Sequence, residues 1–90
     1  NISAQIKSDL ADALAAFDYQ IRLIEIEKEN NALARENLEI SIQRLAKGQT
    51  TSLEIHMAQE LYIQSTTRLI SFRYNLKLAE TRLKQLAAEF

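Results

Sequence analysis

Apolar residues in the first half of the chain recur at alternating steps of four and three. The positions are Leu10, Leu14, Phe17, Ile21 and Ile24, and the spacing returns at Leu38, Ile42 and Leu45. A period of 3.5 residues is the signature of helices that pack along their length as a coiled coil. The pattern therefore predicts a first helix over residues 2–46.

The second half of the chain repeats the same spacing. Its positions are Tyr62, Ser65, Leu69, Phe72, Leu76, Ala79, Leu83, Leu86 and Phe90. This run predicts a second helix over residues 52–89, which uses the same kind of packing surface as the first.

Between the two patterns lies Gly48, the only glycine of a chain that has no proline. A helix commonly ends in a left-handed residue, and glycine adopts that conformation without steric cost. Arg44 and Lys47 precede it, where positive charge favours the exposed carbonyls of a last turn. Thr51 supplies a hydroxyl N-cap, and Glu54 stands three residues later to complete a capping box. The segment therefore predicts the end of the first helix and, directly after it, the beginning of the second.

A connection as short as residues 47–51 turns the chain back on itself. We therefore predict an all-α fold, a long antiparallel helical hairpin of coiled-coil type that forms a single unit over residues 1–90. Further apolar residues lie beside the main spacing: Leu23, Ile26, Leu33, Ile40, Leu61, Ile63, Ile70 and Leu78. Two helices cannot cover these side chains, so we expect the isolated chain to self-associate into an antiparallel four-helix arrangement.

Midway along the first helix the packing positions turn polar, at Lys28, Asn31 and Arg35. With the turn centred near Gln49, they are expected opposite three residues of the second helix: Ser71, Arg68 and Ser65. Buried polar residues at such positions fix the pairing of helices at some cost in stability. The alternative is a wall that faces water or a neighbouring subunit, and the sequence leaves both interpretations open.

Composition narrows the function classes. The chain has 90 residues, 26% of them charged and 47% hydrophobic, which is typical of an ordered domain. Its net charge of -1 offers no basic face for nucleic acid, and the absence of cysteine excludes disulfides and thiolate metal sites. No apolar run is long enough for a membrane helix, so we expect no direct membrane contact by this segment. Because it begins at Asn1 without Met or signal-peptide features, we expect a processed product or an excised fragment.

The sequence offers little for catalysis. His56 is the only histidine, and with Glu60 at i+4 and Glu54 nearby it suggests two metal ligands at most. Metal sites normally need three or four converging ligands, and no glycine-rich phosphate loop is present. We therefore expect no enzyme activity, no cofactor and no metal, with His56 an ordinary surface residue.

The stretch "ARENLEISIQRLAKGQTTSLEIHMAQ", residues 34–59, resembles the periplasmic hairpin tip of TolC-family outer-membrane efflux proteins. The matching positions are Glu36, Asn37, Leu38, Ile40, Arg44, Gly48, Thr51, Glu54, Ile55, Ala58 and Gln59. The flanks "ADALAAFDYQIRLIEIEKENNALA" and "RYNLKLAETRLKQL" resemble the helices that lead to and from that tip. The chain departs from the family pattern at Ser41, Leu45 and Gln49.

This resemblance implies that the chain is one hairpin of an α-barrel, a fragment of a homotrimeric parent protein. Such a barrel forms a tunnel through the periplasm of a Gram-negative bacterium, below an outer-membrane β-barrel. The hairpin tip would form the tunnel entrance and dock a periplasmic adaptor (membrane fusion) protein. The implied contact residues are Arg44, Leu45, Lys47, Gly48, Gln49, Thr50, Thr51, Ser52, Leu53 and Glu54, with Arg44, Leu45 and Leu53 packing or positioning the tip.

Two other interpretations stay open. One is a free-standing coiled-coil interaction or dimerisation module, and the other is an adaptor-protein hairpin of the same pump class, whose Arg usually lies farther before its Gly. The exported substrate, the adaptor and the repeat of origin cannot be derived from these residues.

Overall fold

The two predicted helices are both present in a computed structural model, which describes residues 2–89. Helix α1 spans Ile2–Ala46 and helix α2 spans Ser52–Ala88, against predicted ranges of 2–46 and 52–89. The two helices pack against each other as a hairpin. The predicted all-α helical hairpin is therefore confirmed.

The packing positions of α2 match the prediction from Tyr62 to Leu86, and the predicted Phe90 lies outside the described residues. Those of α1 differ from the prediction. The buried and half-buried residues of α1 that follow the coiled-coil spacing are Ile6, Leu10, Ala13, Phe17, Gln20, Ile24, Glu27, Asn31, Ala34, Leu38 and Ser41. The prediction was wrong at Leu14 and Ile42, each 50% exposed, and at Leu45, which is 43% exposed. At two of these places a smaller neighbour packs instead, Ala13 for Leu14 and Ser41 for Ile42.

The chain divides into two compact units. The first comprises the described parts of residues 1–25 and 71–90, and its packing positions are mostly apolar. Ala13 and Ile24 are 4% and 7% exposed, and Phe17 and Phe72 are half-buried. Apolar burial is therefore what holds this unit together.

Ion pairs lie on the surface of the first unit. Arg22 Nη2 lies 2.9 Å from Asp18 Oδ2, and Lys84 Nζ lies 3.0 Å from Glu80 Oε1. The hydrogen bond from Lys84, helped by the charges of Lys77 and Lys84, lowers the pKa of Glu80 below its ordinary value. Such exposed i, i+4 pairs stabilise a helix by only about 0.2–0.5 kcal/mol each.

The second unit, residues 26–70, contains the turn and has a more polar interior. Its buried residues are Leu69 at 7%, Glu27 at 8% and Ser65 at 2% exposure. Two bonds cross between its helices: Arg68 Nε donates to Glu27 Oε1 at 2.9 Å, and Asn31 Nδ2 donates to Thr66 Oγ1 at 3.0 Å. A polar layer was predicted here, and the structure contains one.

Asn31, Ser65 and Arg68 belong to that polar layer as predicted, whereas Lys28, Arg35 and Ser71 do not. Lys28 and Arg35 are exposed, and Glu27 and Ala34 occupy the packing positions instead. The reason is electrostatic, because a buried Lys28 would face the cationic Arg68, whereas Glu27 neutralises it. The rotation of α1 in this unit therefore pairs Glu27 with Arg68 and leaves Lys28 and Arg35 exposed.

Candidate functional site

The turn of the second unit is built by backbone hydrogen bonds. Gly48 has a φ of 69°, the left-handed conformation predicted from the sequence. The N–H of Gln49 donates to the carbonyl of Arg44 at 2.8 Å, and the N–H of Gly48 donates to that of Leu45 at 2.9 Å. This pair of bonds is a Schellman motif, which satisfies carbonyls that the end of α1 would leave without partners.

The Arg44 side chain adds a further bond across the turn. Its Nη2 donates to the carbonyl of Gln49 at 3.2 Å. Arg44 therefore binds both backbone groups of Gln49, since its own carbonyl accepts the Gln49 N–H. The sequence predicted that Arg44 would favour the exposed carbonyls of the last turn of α1, whereas this bond goes to the carbonyl of Gln49, beyond the end of α1. The guanidinium thereby limits the movement of the turn backbone.

Helix α2 begins with a threonine cap. Thr51 Oγ1 accepts a hydrogen bond from the N–H of Glu54 at 3.2 Å, which confirms the predicted N-cap. The Glu54 carboxylate does not complete the reciprocal capping box, because it accepts a hydrogen bond from the hydroxyl of Thr50 instead. Thr50 and Thr51 therefore have structural roles that account for both hydroxyls.

Most side chains of the predicted contact set are solvent-exposed at this turn. Lys47, Gln49 and Ser52 are exposed, and Thr50 is half-buried. Leu53 is 68% exposed and Leu45 is 43% exposed, so neither packs firmly within the part of the chain that the structure describes. The predicted packing role is thus not seen for these two leucines, which instead add apolar surface to the tip.

A groove lies between the helices of the second unit, away from the turn. It has a volume of about 230 Å³ and is lined by Asn30, Leu33, Ala34, Asn37, Ala58, Leu61, Ser65 and Arg68. Ala34, Ala58 and Ser65 are small packing residues, whereas Leu33 and Leu61 are 58% and 60% exposed. The result is an open recess with apolar edges, flanked by amides and one guanidinium.

Two buried oxygens near this groove have no hydrogen-bond partner among residues 2–89. They are Oγ of Ser65, which lines the groove, and Oε2 of Glu27, whose other oxygen binds Arg68. Sequence reasoning missed the groove as a site, although Leu33 and Leu61 were recognised as apolar residues without partners. The groove could have been predicted from the position of Leu33 and Leu61, each of which lies close in sequence to a packing residue of its own helix.

No group of three or more His, Cys, Asp or Glu side chains lies close enough to hold a metal ion between residues 2 and 89. His56 is exposed, as predicted. Over the same residues neither helix is apolar enough along its length to cross a membrane.

Comparison with protein-family models, with curated proteins and with solved structures found no match to this chain. The geometry alone therefore defines what the site can do. It offers a backbone-fixed turn with exposed polar side chains, and a shallow groove with apolar edges. Both are suited to contact with another protein.

Proposed function

We propose that the chain is a hairpin of a periplasmic conduit, the wall of an outer-membrane efflux channel of the TolC type. Its tip would form the tunnel entrance and dock a periplasmic adaptor protein, and the chain would have no catalytic activity of its own. The observation that carries the proposal is the tip turn, which is rigidly bonded yet presents Lys47, Gln49 and Ser52 to solvent.

The rigidity of the turn supports a docking role. Binding costs less conformational entropy when the contacting groups are already ordered. Two backbone bonds and the Arg44 bond to the Gln49 carbonyl fix the backbone from which these side chains project. A connection that served only to reverse the chain would not need the additional guanidinium bond.

Exposed apolar residues support a role in a larger helical wall. The second unit leaves Ile26, Leu33, Ile40, Leu61 and Ile63 between 45% and 60% exposed. Apolar residues on this scale are typical of surfaces that other helices cover. In the proposed conduit, neighbouring hairpins of a homotrimeric parent protein would cover them in the periplasm.

The proposal is tested in cells that make the parent protein. Ser52→Arg is expected to abolish export while helicity and outer-membrane abundance stay unchanged, because Ser52 is exposed and Thr51, not Ser52, caps α2. Thr81→Arg is the matched control, an exposed hydroxyl residue on the same helix but in the first unit, and it should export normally.

Site-specific crosslinking from Gln49 or Ser52 gives a second measurement. Capture of a periplasmic adaptor would support docking. Full export by every tip variant, with no crosslink, would show that Thr50, Thr51 and Ser52 only cap α2 and would overturn the proposal.

A second candidate function is a free-standing coiled-coil interaction module. It is favoured by a specific observation, an uncharged stripe of residues on α1 beside the packing positions of the second unit. A module of this kind would act by homotypic association and would need no adaptor at its tip.

A further inference from the structure

The second unit carries two parallel stripes on α1, displaced by one residue. The packing stripe against α2 is Glu27, Asn31, Ala34, Leu38 and Ser41. The residues one position earlier form a second stripe, which we call the outer stripe and which is solvent-exposed: Ile26, Asn30, Leu33, Asn37 and Ile40. The outer stripe has the same four-three spacing as the packing stripe, so α1 has the pattern of a helix that packs against two partners.

Helix α2 shows the same displacement. Its packing positions in the second unit are Ala58, Tyr62, Ser65 and Leu69, and one residue earlier lie Met57, Leu61, Gln64 and Arg68. The groove opens on this side, because Asn30, Leu33 and Asn37 of α1 and Leu61 and Arg68 of α2 line it. We call the surface formed by Ile26, Leu33, Ile40, Met57 and Leu61 the docking face.

Charge distinguishes the two sides of α1 in this unit, whereas the corresponding positions of α2, Gln59, Ile63, Thr66 and Ile70, are uncharged as well. The outer stripe of α1 contains no charged residue, and Arg68 of α2 is neutralised by Glu27. One residue after the packing positions, α1 carries Lys28, Ala32, Arg35, Glu39 and Ile42, three of them charged, with Arg35 paired to Glu39 at 3.3 Å. A helix is expected to cover the uncharged side, since burying unpaired charges is costly.

The angle between the two stripes indicates how many helices meet. A displacement of one residue is a rotation of about 100° around the helix axis. In a four-helix bundle the two neighbours of each helix lie about 90° apart. Two hairpins provide four helices, so the spacing favours a pair of hairpins.

We infer that a second copy of this chain docks on the docking face, so that two hairpins form an antiparallel four-helix bundle about a two-fold axis at Leu33. Antiparallel pairing about this point sets Ile26 of one copy beside Ile40 of the other, and Leu33 beside Leu33. It also sets Asn30 of one copy beside Asn37 of the other, where the two amides can exchange hydrogen bonds. The outer stripe is thus complementary to itself, as a two-fold interface requires.

The small residues of the groove suit this arrangement. Ala34, Ala58 and Ser65 leave a recess between the leucine edges, and a coiled-coil side chain inserts as a knob into such a hole. This inference concerns the purified chain and does not rest on adaptor docking. Export assays report on the tip and association measurements report on the docking face, so either proposal can fail without the other.

Sedimentation equilibrium of the full 90-residue chain tests the inference. The wild-type chain is expected to be a dimer, and Leu33→Glu should weaken dimerisation at least tenfold. Ile63→Glu is the matched control, because Ile63 has the same 58% exposure as Leu33 but lies outside the docking face. A wild-type monomer at high concentration, a larger oligomer, or equal weakening by both variants would overturn the inference.

Two further measurements keep the test decisive if Leu33→Glu fails to fold. Mixing Leu33→Glu with Leu33→Lys should restore a one-to-one dimer and its helicity, because the two side chains meet at the axis. The chain has no cysteine, so Leu33→Cys should form an intermolecular disulfide under mild oxidation while Ile63→Cys should not. Absence of the mixed dimer, or equal crosslinking from both positions, would contradict the two-fold axis at Leu33.

Discussion

The two units of this hairpin use the same coiled-coil spacing to different ends. In the first unit the packing positions hold aromatic and aliphatic residues, and Ile24 is 7% exposed. In the second unit the same positions hold Glu27, Asn31 and Ser65, and interhelical bonds at 2.9 Å and 3.0 Å replace part of the apolar contact.

The same spacing can therefore serve stability in one unit and specificity of helix pairing in the other. Apolar contacts are non-directional, so the first unit gains free energy from burial without defining a unique pairing of its helices. Hydrogen bonds and ion pairs are directional, and leaving their partners unmade is costly. The second unit therefore has directional bonds between its helices, at Asn31 with Thr66 and at Glu27 with Arg68, where the first unit has mostly apolar contacts.

The largest effect is expected from truncation in the apolar interior. Ile24→Ala should lower the free energy of unfolding by about 2–3 kcal/mol, since it removes a buried side chain and leaves a cavity. Leu14→Ala is the control in the same unit, and because Leu14 is 50% exposed its cost should stay below about 1 kcal/mol. Urea unfolding at fixed protein concentration measures both, and equal losses would show that Leu14 is a packing residue after all.

A smaller effect is expected from the polar interior. Arg68→Leu should cost about 1–2 kcal/mol, because Glu27 stays buried without its partner while half of the Arg68 side chain is already exposed. The double variant Glu27→Leu with Arg68→Leu should recover most of this loss. Arg35→Leu breaks an exposed pair and should change the stability by less than about 0.5 kcal/mol.

A double-mutant cycle on Glu27 and Arg68 makes this measurement. A coupling energy near zero would mean that the pair does not define the interior of the second unit. The two units would then differ only in how many apolar residues their interiors contain.

The smallest effect is expected at the turn. Gly48→Val should cost about 1 kcal/mol, since the position has a left-handed φ of 69° and branched side chains tolerate it poorly. A Cβ at Gly48 would meet nothing within 4 Å, so the loss would come from the backbone alone. Gly48→Asn should be nearly neutral, because Asn adopts this conformation more readily.

Hydrogen exchange can locate this change. Amides of the second unit should lose protection in Gly48→Val while those of the first unit change little. An unchanged melting temperature would contradict the strained turn.

Some of this architecture follows from local sequence alone. The helices, the left-handed Gly48 and the Thr51 cap were predictable because each depends on residues within one or two turns of the chain. The α2 packing positions were predictable too, since Tyr62, Leu69, Phe72 and Leu76 leave one continuous apolar stripe. Local propensity and periodicity are sufficient to predict features that depend only on residues close together in the sequence.

The rotation of α1 was decided by tertiary structure. Its sequence offers two nearly equal stripes, one through Leu14 and Ile42 and one through Ala13 and Ser41, and periodicity alone favours the larger side chains. In the second unit the stripe that packs is the one whose Glu27 meets Arg68 and whose Asn31 meets Thr66, 41 and 35 residues away along the chain. The groove and the docking face depend on that rotation, because pairing across such distances is visible only once both helices are in place.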